Sequence, residues 1–99
     1  MPTVFIIQEN PQQDFTDAKK FGVLEVIILG QSKDFQRSLQ TVRKVLQTKW
    51  RQGDFLLANG DPGHIVGSGL ALAKLAISSF NLLKWDRRTL TYKLEQIDL

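Results

Sequence analysis

The sequence predicts a layered α/β domain built on a mainly parallel sheet of four to five strands, with a C-terminal antiparallel hairpin. Three observations predict it. Short β-branched or leucine-rich runs alternate with longer segments of helical period. The first three runs each end in Asn, Gly or Pro punctuation. The last two runs are separated only by Asp86, Arg87, Arg88 and Thr89, the spacing of a hairpin.

Residues 3–7 form a β-branched and aromatic run closed by Gln8, Glu9, Asn10 and Pro11, so they read as a buried first strand. In 11–21, Phe15, Ala18 and Phe21 recur about one helical turn apart before Gly22, which predicts a short helix with a glycine stop. Residues 23–29, interrupted only by Glu25 and ended by Gly30, read as a central strand. From 34 to 50, Phe35, Leu39, Val42, Leu46 and Trp50 trace the stripe of an amphipathic helix, capped by Ser32 or Asp34 and stopped near Gly53. Residues 54–58 supply a third strand, and the loop 59–63 leads into a second helix with Asp61 as cap and Pro62 at its first position. That helix is expected to run to about residue 78. It is apolar on nearly every side apart from Lys74, hence largely buried, with Gly67, Gly69, Ala71, Ala73 and Ala76 permitting close approach. Strands at 80–85 and 90–97 complete a Rossmann-like order whose first four strands run parallel.

Composition narrows the function classes. Ninety-nine residues, 42% of them hydrophobic, suit one domain spanning 1–99. No run reaches the roughly 20 apolar residues of a membrane span, and the amino-terminal residues lack a basic, apolar leader, so a cytoplasmic protein without membrane contact is expected. With no cysteine and one histidine, disulfides and Cys-based metal sites are excluded; no metal site and no cofactor is predicted. Thirteen basic against ten acidic residues leave a net charge of +3, a small excess for a nucleic-acid binder.

Candidate chemistry gathers where the parallel strands end. Ligands of open α/β sheets bind outside the carboxyl ends of the strands. There the chain places Glu9 and Asn10, then Gly30, Gln31 and Ser32, then residues 59–64, then Trp85 and Asp86. The helix beginning at Pro62 offers free amides and a positive dipole end to an anion around Gly60, Gly63 and His64, with Ser32 and Asn59 assisting and Trp85 available to stack on a base. Pro62 removes one donor, and Asp61 repels an anion unless it serves as the cap. The glycine spacing matches neither dinucleotide nor P-loop fingerprints, and capped-helix packing accounts for it equally well. His64 and Ser68, four apart, share a helix face, so a hydroxyl–imidazole pair is geometrically allowed, although no third orienting group is evident. Asp61, His64 and Asp86 are the residues a small hydrolase would use, the weakest of the three functional readings.

Basic residues suggest a second anion surface: Arg37 and Lys44 on the long helix, and Lys84, Arg87 and Arg88 on the hairpin beside Trp85 and Tyr92. A solvated helix face and a charged edge turn explain the same residues without a ligand. The apolar second helix, too large to hide in two layers, points to a homodimer or to a host protein as partner.

Three stretches carry a resemblance: Ala18-Lys19-Lys20-Phe21-Gly22; Asp54-Phe55-Leu56-Leu57 leading to Gly60-Asp61-Pro62; and Leu82-Leu83-Lys84-Trp85-Asp86-Arg87 followed by Tyr92. In these the chain resembles small α/β proteins encoded by phages, prophages and mobile elements. The resemblance implies a viral origin and brings no catalytic or ligand residues with it. The leading expectation is a non-enzymatic binding protein for a nucleotide or a nucleic-acid backbone; the alternative is an inhibitor or accessory factor acting on a host or replication protein.

Overall fold

A computed structural model describes residues 1–31 and 33–99. The first apolar run becomes β1 (Thr3–Gln8), whose Val4, Phe5, Ile6 and Ile7 are all buried. Successive strand residues point to opposite faces. Phe5 and Ile7 therefore enter one core while Val4 and Ile6 enter another on the reverse side. Four consecutive apolar residues are what a strand covered on both faces requires.

The remaining strands are β2 (Val23–Ile28), β3 (Phe55–Leu57), β4 (Ser79–Asp86) and β5 (Thr91–Asp98), in the spatial order β2-β1-β3-β4-β5. The first four are mutually parallel and β5 returns antiparallel to β4, as the sequence predicts. The run at 23–28 is not central, however, but lies at one edge. Its one charge, Glu25, explains how: the carboxylate faces the helix side and pairs with Lys49 at 3.1 Å, which a strand covered on both faces would not allow. β3 is also shorter than the expected 54–58, because Asp54 turns away to accept N–H bonds from Thr3 and Arg51.

One face of the sheet carries two helices, α1 (Phe35–Lys49) and α2 (Pro62–Ala73). Val42 and Leu46 of α1, with Ala71 and Leu72 of α2, meet Phe5, Ile7, Leu56 and Phe80 in the larger core. The other face is covered by the segment between β1 and β2, which contains a 3-10 turn at Thr16–Lys20 rather than the longer helix predicted for 11–21. The strand order moves outward from β1 to β2 and then back past β1 to β3. Crossovers of one hand then place the first connection and α1 on opposite faces. Gly22 does not stop a helix; a side chain there would collide with the Pro2 carbonyl, which accepts the Val23 N–H.

Tyr92 ties the 3-10 segment to β5. Its ring is buried, its hydroxyl accepts from Gln13 Nε2 at 3.0 Å and donates to the Asp14 carbonyl, and its N–H donates to Asp17 Oδ2 at 2.7 Å. The Tyr92 N–H, with Lys20 3.0 Å away, holds the Asp17 carboxyl below its ordinary range. Burial pushes the Tyr92 hydroxyl up.

α2 departs from expectation at its end and in its exposure. It stops at Ala73 instead of continuing to about residue 78, and Ala76 adopts the left-handed region at φ 57°. The helix is not buried all round: Val66 is 64% and Leu70 62% exposed. Its small residues are turned inward selectively. A side chain at Gly63 would run into the Phe35 ring and one at Gly67 into Leu39, so these two glycines let α1 close on α2, whereas Gly69 faces open space. Ala73 and Ala76 are exposed and serve no close approach.

Candidate functional site

The carboxyl ends of β1 to β4 share one rim. Its centre is the gap between β1 and β3, where the order of connection reverses; open α/β sheets bind ligands at such a point. A cavity of about 250 Å³ opens there, lined by Gln8, Glu9, Asn10, Pro11, Gln31, Asn59 and Gly60. Its floor is rigid. Asn59, buried, donates from Nδ2 to the Gln8 carbonyl at 2.6 Å and accepts the Gln8 N–H on Oδ1 at 3.2 Å, so one side chain stands in for a missing rung between the two strands. Gly60, at φ 88°, passes so close to the Gln8 side chain that a Cβ would meet Oε1 at 2.7 Å. On the other wall, Gln8 Nε2 donates to the Gly30 carbonyl and Glu9 Oε2 accepts the Gly30 N–H at 3.0 Å.

Beside this crevice sits the tip of α2. Asp61 accepts the Gly63 N–H at 2.7 Å, and the His64 and Ile65 N–H groups donate to the Asp61 carbonyl. With Pro62 carrying no N–H, the Gly63 and His64 amides expected to meet phosphate are engaged within the chain. The Phe35 ring closes the tip: it packs on Gly63 and stacks on the His64 ring, centroids 4.8 Å apart and planes 17° from parallel. His64 is 1% exposed and neither ring nitrogen has a hydrogen-bond partner among the described residues. The anticipated hydroxyl–imidazole pair is absent because Ser68 Oγ donates instead to the His64 carbonyl at 2.7 Å, the back-bond typical of a helical serine. Asp86 is used locally, accepting the Arg88 N–H. Ser32 lies outside the described residues.

The basic residues divide into two surfaces. Lys84, Arg87 and Arg88 gather on the hairpin with Lys93, around a cavity of about 380 Å³ that Trp85, Asp86 and Glu95 also line. Lys84 approaches Glu95 at 3.7 Å. Trp85 and Tyr92 pair across the strands with ring centroids 4.8 Å apart and planes tilted by 59°, on the face opposite the paired Lys84 and Lys93. The tryptophan is 38% exposed and the tyrosine buried.

Arg37 and Lys44 stand on α1, on the helix-bearing face of the sheet. From 35 to 51 the chain carries Arg37, Arg43, Lys44, Lys49 and Arg51 and no acidic residue, and all five are exposed. Only Lys49 of the five makes a salt bridge among the described residues. Arg37 occupies the third helical position, where the positive end of the helix dipole disfavours a cation and a capping box would place Glu or Gln.

A cavity of about 430 Å³ opens at the opposite rim between 50–54 and 76–81. Asp54 is its charged group, and both its oxygens are taken by Thr3 and Arg51 amides that fasten strand ends together. Among the described residues no three His, Asp or Glu side chains form a metal-binding group, and no helix is long and apolar enough to cross a membrane.

These features define a class: a small, mainly parallel α/β protein with a polar crevice at its topological switch point and basic surfaces flanking it. The chain belongs to the Phage Pam3 gp32-like protein family, whose model matches residues 2–99. The resemblance to phage-encoded α/β proteins thus holds along nearly the whole chain. No curated protein and no solved structure matches it.

Proposed function

We propose that this phage protein binds the phosphate backbone of nucleic acid through the outer face of α1. The observation that carries the reading is the sign purity of that helix and its exit: Arg37, Arg43, Lys44 and Lys49 in α1 and Arg51 just after it, with no acidic residue from 35 to 51 and all five exposed. Fifteen residues at about 1.5 Å each give a helix of roughly 22 Å; Arg37 and Lys44, seven residues apart, lie along one side of it, and Arg51 follows its cap. Exposed glutamines and threonines fill the intervals with neutral donors and acceptors suited to sugar and phosphate oxygens. Arg37 stands where it weakens the helix, the kind of local violation that proteins keep for function. The hairpin cluster of Lys84, Arg87 and Arg88, around a cavity of its own, is a second contact.

Fluorescence anisotropy with single-stranded and duplex oligonucleotides, from about 50 to 200 mM salt, tests the reading. The expected result is sequence-independent binding whose logarithm falls linearly with log salt, the slope dropping by about one for each phosphate contact removed in Arg37→Ala, Lys44→Ala and Arg51→Ala. Absence of binding at the lowest salt, or unchanged binding in the triple variant, contradicts it.

A second reading, a homodimeric interaction module, is favoured by the exposed Val66, Leu70 and Ala73 stripe on α2. A monomer mass at high concentration, unaltered in Leu70→Glu, contradicts that one.

A further inference from the structure

The crevice between β1 and β3 has a chemistry distinct from either basic surface. It is lined by four carboxamide side chains, Gln8, Asn10, Gln31 and Asn59, with one carboxylate, Glu9, and no basic residue. Counting hydrogen bonds separates the groups that hold the fold from those left over. Asn59 spends both ends of its amide on Gln8, and Glu9 Oε2 and Gln8 Nε2 are spent on Gly30. Asn10 Oδ1 accepts the Gln12 N–H. Among the described residues, Gln8 Oε1, Glu9 Oε1, Asn10 Nδ2 and the whole Gln31 carboxamide keep open hydrogen-bonding capacity at the cavity. Donors and acceptors thus face one cavity, those of Gln8, Glu9 and Asn10 on side chains tied by the bonds above and those of Gln31 on an exposed side chain.

We propose that this crevice binds a single nucleobase with its ribose. A carboxamide pairs in two-point fashion with a heterocycle edge that presents a neighbouring donor and acceptor, as Asn and Gln do with adenine. Glu9 Oε1 is an acceptor for sugar hydroxyls, the role an acidic residue takes beside the ribose in nucleotide-binding α/β sheets. The same carboxylate, without a compensating cation in the lining, disfavours a phosphate within the crevice. Size sets the other bound. At about 250 Å³ the cavity lies below the roughly 300–1,000 Å³ of drug-sized ligand sites, a size for one nucleoside and too small for a dinucleotide. The location, at the reversal of strand order, is where such sheets place ligands. This inference stands on the crevice and is independent of α1.

The test uses uncharged nucleosides, so that the basic surfaces contribute nothing. Adenosine, guanosine, cytidine and uridine are titrated into the full chain while the side-chain amide resonances of Gln8, Asn10, Gln31 and Asn59 are followed by NMR, at low and high salt. The expected result is saturable binding of at least one nucleoside, with shifts centred on those amides, an affinity unchanged by salt, and a loss of about tenfold or more in Gln31→Ala. Gln31 is exposed and its side chain makes no hydrogen bond among the described residues, so that variant is expected to keep the fold. No perturbation by any nucleoside, perturbation centred elsewhere, or equal response to free ribose overturns the proposal. A single-stranded oligonucleotide and its abasic counterpart then separate the two sources of the base: an unpaired base in a strand gives a difference that Gln31→Ala removes, whereas a free nucleoside as ligand gives none. Salt-dependent oligonucleotide binding without any nucleoside response would leave the α1 reading intact and end this one; the reverse pattern would do the opposite.

Discussion

The two helices lie side by side on one face of the sheet, yet they are built on opposite principles. α1 has one apolar stripe and one polar face, and its charges all have the same sign. α2 has no charged residue between its Asp61 cap and Lys74, and it shows apolar side chains both to the core and to water. The difference teaches that burial and function are read from different residues. Val42 and Leu46 place α1, whereas its outer residues carry its charge. In α2, placement is done by what is missing, since Gly63 and Gly67 make room for Phe35 and Leu39.

The glycines of α2 break or sharpen this contrast most strongly. Gly67→Ala is expected to lose about 1–3 kcal/mol, because Leu39 must leave its place, and the loss should shrink in a Leu39→Ala background. Gly69→Ala, with open space around it and ordinary helical backbone, is expected to gain about 0.5–1 kcal/mol. Urea denaturation of the parent and these four variants, the Leu39→Ala chain included, measures both, and equal effects at the two glycines would contradict the proposed helix contact.

His64 offers a second probe. A buried imidazole without a hydrogen-bond partner costs about 1–3 kcal/mol, so His64→Leu is expected to leave the thermal midpoint unchanged or raise it. A clear fall in the midpoint would show that the ring makes a polar contact of consequence.

The smallest effect is expected on the reverse face. Asp17, held below its ordinary range by the Tyr92 N–H and Lys20, supports folding above about pH 4 and loses that support as pH falls through its lowered value. Comparing urea midpoints at neutral and acid pH, Asp17→Asn should be the less stable chain at neutrality and converge with the parent in acid. A constant gap across pH would assign the effect to packing instead.

Much of this architecture was legible in the residues. The α1 stripe, the Asp61–Pro62 start of α2, the parallel strands and the closing hairpin follow from period, caps and turn chemistry. The edge position of β2 was not, because a run such as Val23–Ile28 looks alike at an edge or a centre until Lys49 is known to face Glu25. The exposure of Val66 and Leu70 was hidden for a related reason: hydropathy does not say which side of a uniformly apolar helix meets the sheet. At the rim, Asn59 and Gly60 could be singled out from the loop sequence. The partnership of Gln8 and Gln31 could not, since it depends on loops 22 or more residues apart meeting at the reversal of strand order. Phe35 as the cover of His64 is likewise a tertiary contact, although its place at the head of the α1 stripe was plain.

The most direct test of the central claim is the salt slope of oligonucleotide binding, measured for the parent, for the Arg37, Lys44 and Arg51 triple alanine variant, and for a Val66→Ser, Leu70→Ser variant of α2. The account predicts a slope that flattens by about three in the first variant and stays at the parental value in the second. A slope indifferent to the α1 substitutions, or one that changes with α2 instead, would contradict it.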